Sequence, residues 1–211
     1  MNRPVVIVGG GASSAAVDWR TPAEIWGLAA LGNMMQRCDR WFELHPLSTL
    51  LPREIQLCER STVPVYMRQR HKSIPQSVRF PLEHVLLLGR HFFTNSYCYQ
   101  IALAIAEERP EITLYGMGDF RYGSARERVF ELPGVAYWIG VATGKEIEIK
   151  APAQDELVTA PYLYGLEYWD EVAYVRVQLR ALQKVLNAGA FDGFQCEEEV
   201  NPQAAQIAEK L

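Results

Sequence analysis

The chain has 211 residues, 49% hydrophobic and 22% charged, with a net charge of −4 at pH 7. This usage excludes a disordered chain. The acidic balance excludes global attraction to nucleic acid or an anionic membrane, so either partner would need a local basic patch. Cys38, Cys58, Cys98 and Cys196 form no Cys-x-x-Cys pair and no cluster with His, so reduced thiols are expected, with no disulfide framework and no metal site. The apolar run before the first glycines is too short for a signal peptide, and no stretch reaches the roughly 20 apolar residues of a membrane span. A cytoplasmic location is expected.

In chain order, Pro4 to Val8 is a β-branched run that stops at three glycines, as a strand buried on both faces would. Strands are also predicted at Glu24–Leu28 and Arg40–His45, with a short helix over Ala29–Gln36 between them. The spacing of Leu47, Leu50, Leu51, Ile55 and Leu57 predicts a helix over Pro46–Glu59, interrupted near Pro52. Val63–Met67 reads as a strand, and Arg68–Arg79 as a long loop of the kind that is functional or mobile. Ser96–Arg109 is the clearest helix, capped by Thr94-Asn95-Ser96 and stopped by Pro110. A strand over Glu111–Gly116, a helix over Ala136–Thr143 and a strand over Glu146–Ile149 follow. Beyond Pro152 the pattern is helical, with amphipathic 171–188 and a polar tail helix over 202–211. Alternating strands and helices predict a Rossmann-like α/β fold with a mostly parallel sheet and flanking helices. The expected organisation is a nucleotide-binding domain over 1–169 and a helical C-terminal extension over 170–211 packed on it.

Five groups of residues are candidates for function. Gly9, Gly10, Gly11, Ser13 and Ser14 follow a buried strand, where backbone N–H groups and close approach suit a phosphate; the alternative is a tight turn. A dinucleotide fingerprint would need a third glycine where Ser14 stands and an acid about 20 residues later. Thr94, Asn95 and Ser96 are either a helix cap or contacts to a ribose, base or phosphate. Asp119, after Gly116 and Gly118 at a strand end, is a ligand contact or a turn residue. Glu43 and His45, two apart on a strand, share a face and could form an acid–base pair; the alternative is a polar strand end in water. Arg68, Arg70 and Lys72, with His71 and Arg79, form a basic loop that is either solvated surface or a contact for nucleotide phosphates or DNA. Arg121, Arg126 and Arg128 form a second basic group.

The run Phe93 to Ala106, followed by Glu111 to Phe120, resembles the central helix–strand unit of small bacterial sialyltransferases and hydroxymethylpterin diphosphokinase-like proteins. The opening Val5 to Ser14 resembles their nucleotide loop. Glu24-Ile25-Trp26-Gly27, Asp39 to His45, Val65-Tyr66-Met67 and Tyr137-Trp138-Ile139-Gly140 resemble uncharacterised proteins of tailed phages. The resemblance implies Gly9, Gly11 and Ser13 at donor phosphates, Thr94, Asn95 and Ser96 near the nucleotide, and Asp119 lining the cleft. The sequence departs from the sialyltransferases in two places. Leu28-Ala29-Ala30 replaces a donor-contacting Asn, and no histidine follows His91 to match their catalytic one. A base would then have to be Glu43, His45 or Asp119.

The expected activity is nucleotide-dependent transfer, glycosyltransferase-like, to an acceptor hydroxyl, with phage DNA modification as one setting and the host cytoplasm as its place. Arg68, Arg70, Lys72 and Arg121 would bind the substrate. No permanently bound cofactor is expected, only a nucleotide or nucleotide-sugar ligand, and an oligomer is possible. Two alternatives stay open: a non-catalytic protein that sequesters a nucleotide metabolite or signal, and a virion or scaffold component.

Overall fold

The computed structural model describes residues 2–118, 126–155 and 157–160, with Leu163, Val175, Leu179, Arg180 and Leu182. By internal contacts the chain divides into two units, Met1–Trp169 and Asp170–Leu211. In the second unit Val175, Leu179, Arg180 and Leu182 are helical; the rest of the extension predicted over 170–211 lies outside the described residues.

The first unit is built on a seven-stranded sheet, β1 (Val5–Val8), β2 (Glu24–Leu28), β3 (Arg40–Glu43), β4 (Val65–Met67), β5 (Ser77–Arg79), β6 (Glu111–Tyr115) and β7 (Glu148–Lys150). The strand order is β5-β4-β3-β2-β1-β6-β7 and every pairing is parallel. This is the expected Rossmann-like α/β architecture. The order reverses between β1 and β6, which makes their carboxyl ends the topological switch point where open α/β sheets bind ligands.

The apolar run of β1 needs no alternation because both faces are covered. Val5 and Ile7 pack with Trp26, Phe42, Ile112 and Leu114 under α3 (Ser96–Ala106) and α4 (Leu132–Gly144). Val6 and Val8 face the other way, against Val17, Ala23 and Ile25. On that second face, α1 (Pro52–Arg60) brings Cys58 against Trp41, Val65 and Met67. A short helix, α2 (Leu82–Val85), precedes α3.

Several elements differ from the sequence expectation. Pro52 does not interrupt a helix; it opens α1 at a position where a missing N–H is harmless. The segment after β2 is a single 3₁₀ turn, Ala29–Leu31. The 68–79 stretch is not a long open loop. Ile74 is fully buried, the Ser77 hydroxyl accepts the His71 N–H at 2.9 Å, and residues 77–79 are the edge strand β5. The helix predicted to Arg109 ends at Ala106, because Glu108 takes a left-handed φ of 52° and Arg109 N–H turns back to the Ala104 carbonyl at 3.0 Å. α4 starts earlier than expected, directly after the π-helical Glu127–Glu131.

At the amino edge of the sheet, buried Glu24 accepts from Trp26 Nε1 at 3.0 Å and pairs with Arg40 at 2.8 Å and Arg109 at 3.0 Å. Glu107 pairs with the same two arginines. Burial pushes the Glu24 carboxyl up, but the Trp26 N–H, Arg40 and Arg109 outweigh it and hold the group below the usual carboxylate range. A carboxyl lowered on folding contributes stability above its unfolded pKa, about 4.3, and loses it as pH falls through the folded value. Chemical unfolding between neutral and acid pH is therefore expected to show a steeper loss in the native protein than in Glu24→Gln. Parallel curves for the two would show that Glu24 does not carry this linkage.

Candidate functional site

β2 and β3 end side by side, with Leu28 opposite Phe42. Past these ends lies a cleft of about 340 Å³, lined by both residues and by Glu43, His45, Glu54 and Ser96 among others. Ser96 comes from the first turn of α3, and Glu54 from the first turn of α1, where it also accepts the Leu51 N–H at 2.8 Å. Thr49, Leu50 and Leu51 complete one wall.

Glu43 and His45 meet here. Glu43 is 4% exposed, and its Oε1 accepts the backbone N–H of His45 at 3.1 Å and contacts His45 Nδ1 at 2.7 Å. The His45 side chain is 67% exposed. Strand alternation alone does not make this pair, since β3 ends at Glu43 and His45 lies beyond it. The chain turns so that a buried carboxylate holds one ring nitrogen and leaves Nε2 toward solvent. In the neutral ring, the tautomer that donates Nδ1–H to this carboxylate leaves Nε2 able to accept a proton.

The glycine loop is a second arrangement, at the switch point. Gly9 N–H donates to the Tyr115 carbonyl at 2.7 Å and Gly11 N–H to the Gly116 carbonyl at 2.9 Å. Gly10 N–H faces the hydroxyl of buried Tyr97. Three amides that the sequence offers to a phosphate are thus engaged within the fold. Gly116 has φ of 69°, and a Cβ on either Gly9 or Gly116 would overlap the other residue's backbone carbonyl. The glycines therefore permit a backbone joint between the ends of β1 and β6. The Ser13 hydroxyl accepts Gly116 N–H and donates to Asp155 Oδ2, each at 2.6 Å, while Ser14 is half-buried.

At the start of α3, Asn95 is the cap, its Oδ1 accepting Cys98 N–H at 3.1 Å, and Thr94 Oγ1 donates to the Glu131 carbonyl at 3.1 Å. Asn95 Nδ2 is buried with no partner among the described residues. The same turn joins the two arrangements, Ser96 lining the cleft and Tyr97 meeting Gly10.

Arg68, Arg70 and Lys72 are exposed. Glu43 pairs in register with Met67, so Arg68 leaves β4 from the same sheet edge as the Glu43–His45 pair. Asp119 and Arg121 lie outside the described residues. The structure thus brings Glu43, His45 and Ser96 together, and groups Gly9 to Ser14 with Gly116 two strands away. Sequence reasoning missed Asp155, a buried carboxylate bonded to Ser13. No local pattern marks it, because its place at the switch point depends on where the chain turns after β7. Among the described residues no group of three or more His, Cys, Asp or Glu is placed to hold a metal, and no helix is long and apolar enough to cross a membrane.

No family model matches the chain, and no curated protein sequence matches it. Among solved structures, the chain is similar to the sialyltransferase CstII from Campylobacter jejuni, solved in complex with a substrate analogue, cytidine-5′-monophosphate. The TM-score is 0.43 at 16% identity, over 83% of this chain and 99% of that one. A likeness this distant carries no assignment of activity.

Proposed function

We propose that the protein is a nucleotide-dependent transferase of the glycosyltransferase type, which moves a group from a nucleotide donor to an acceptor hydroxyl with His45 as general base. The observation that supports this reading is the 2.7 Å contact between buried Glu43 and His45 Nδ1 in a cleft at the carboxyl edge of a parallel sheet. Glu43 fixes the ring orientation and tautomer and stabilises the imidazolium once it forms. His45 Nε2 takes the acceptor's proton as the hydroxyl oxygen bonds to the transferred carbon. The bond from that carbon to the nucleotide's phosphate oxygen breaks, and its electron pair leaves on that oxygen.

The cleft lining includes two carboxylates, Glu43 and Glu54, with the hydroxyls of Thr49 and Ser96, and no Lys or Arg. That lining suits a neutral, hydroxyl-rich acceptor better than a phosphate, which two carboxylates would repel. In this reading the donor lies along the adjoining edge, over Ser14 and Gly116, with Asp119 and Arg121 as further contacts. The test is release of free nucleotide from a panel of nucleotide sugars in the presence of sugar or DNA acceptors. Release that depends on His45 supports transfer. Tight nucleotide binding without release would favour a protein that sequesters a nucleotide.

A DNA acceptor, as in phage DNA modification, makes a separate prediction. Arg68, Arg70 and Lys72 leave the sheet edge next to the proposed base. Replacing all three by Ser is expected to weaken DNA binding and to flatten its salt dependence by about 0.9 log units for each phosphate that is no longer neutralised. Unchanged affinity and slope would remove DNA as the acceptor while leaving small hydroxyl acceptors in place.

A further inference from the structure

A larger cavity, of about 520 Å³, lies on the α1 face of the sheet, between α1 and the segment that follows β2. It adjoins the Glu43–His45 cleft, for Ala30 lines both. Its charge is of the opposite sign. Arg37, Arg53 and Arg60 line it, with no Asp or Glu in the wall, in a chain that carries 25 acidic against 21 basic residues.

The three arginines are not equivalent. Arg37 is satisfied internally, by Asp39 Oδ2 at 2.7 Å and by the carbonyls of Thr21 at 2.7 Å and Ala23 at 2.8 Å. Arg53 and Arg60 have no hydrogen-bond or ion-pair partner among the described residues. They are seven apart on α1, two turns of one helix face, with Gln56 between them on the same wall. Arg60, in the last turn, suits the helix dipole. Arg53, in the first turn, opposes it, so local helix electrostatics does not explain its place. Neutral hydrogen-bonding groups surround the pair, including Asn33 and Thr62, and Trp41 contributes an aromatic wall. Burial pushes the Cys38 thiol in this wall up to about 12, so it stays protonated and adds no competing negative charge.

We infer that this cavity is a binding site for a phosphate monoester of a small organic molecule, with Arg53 and Arg60 holding the phosphate and the neutral wall holding the organic part. Two guanidinium groups facing one space recognise a dianionic phosphate through charge-assisted hydrogen bonds. The volume lies within the roughly 300–1,000 Å³ usual for small-molecule sites. This site does not depend on the transferase reading, since neither Glu43 nor His45 lines it.

The test is calorimetric titration of the full chain with adenosine 5′-monophosphate, glucose 6-phosphate, ribose 5-phosphate and inorganic phosphate. Adenosine and glucose are the phosphate-free controls. At least one ester is expected to bind with a Kd of about 1 mM or tighter, its affinity falling as salt rises. Arg53→Gln/Arg60→Gln is expected to weaken that binding by about tenfold or more. Lys145→Gln, an exposed change on α4's end, is expected to leave it unchanged. Both arginines are exposed, so the double variant should keep the native thermal midpoint. Absence of ester binding, undiminished binding in the folded double variant, or equal binding of adenosine or glucose would each overturn the site. Inorganic phosphate binding as tightly as every ester would overturn its organic part.

Discussion

Substitution of His45 by Ala is expected to lower turnover of the correct donor by about 10²–10⁴-fold, the usual contribution of a positioned base, with little change in the affinity for that donor. The split follows from geometry. His45 lines the cleft proposed for the acceptor, while none of Gly9–Ser14, the loop proposed for the donor, lines it. Glu43→Gln should act in the same direction but through His45. The amide cannot match the carboxylate at Nδ1 in charge, so the imidazolium loses its stabilising partner and the ring its fixed tautomer. A readout beyond rate separates this from simple misfolding. Glu43→Gln should keep the native thermal midpoint and donor affinity while turnover falls. Full activity in both variants would remove the pair from the chemistry and leave Asp119 as the next residue to replace. A cleft that needs His45 only for packing would show equal losses in binding and turnover.

The second large effect is expected at Gly116, and it falls on stability. An alanine there must hold φ near 69° and place its Cβ onto the Gly9 carbonyl. Backbone strain of this kind costs about 1–3 kcal/mol, and overpacking against a neighbour that cannot rotate away costs about 1–3 more. A combined loss of about 4 kcal/mol would lower Tm by roughly 8–16 °C in a chain of this size. Gly10 is the internal contrast. It is exposed, and a Cβ there meets only the Leu31 side chain, at 3.4 Å, so Gly10→Ala should fold with nearly native stability. The pair of substitutions separates a joint from a cradle. If the loop served only to approach a phosphate, both variants would be stable and both would lose nucleotide binding. Thermal unfolding of the two variants distinguishes these outcomes before any ligand is identified.

The parallel α/β architecture was legible in the sequence because its signals are local. A β-branched run ended by glycines, an Asn-capped apolar helix and a following strand each carry their own period, and alternation of such units leaves few topologies open. That Glu43 and His45 lie close together was also legible, although the chain's turn past β3, and not strand alternation, makes their contact. Tertiary structure decided the rest, wherever residues far apart in sequence meet. It engaged the amides of Gly9, Gly10 and Gly11 with Tyr115, Tyr97 and Gly116, partners about a hundred residues away. No local pattern states whether a loop's N–H groups face a ligand or another strand. It set buried Asp155 against Ser13, folded 68–79 back through Ile74 and Ser77, and turned Arg53 and Arg60 toward a wall without carboxylates. Sequence fixes which backbone a segment prefers, whereas packing of remote segments fixes which of its polar groups are left for a ligand.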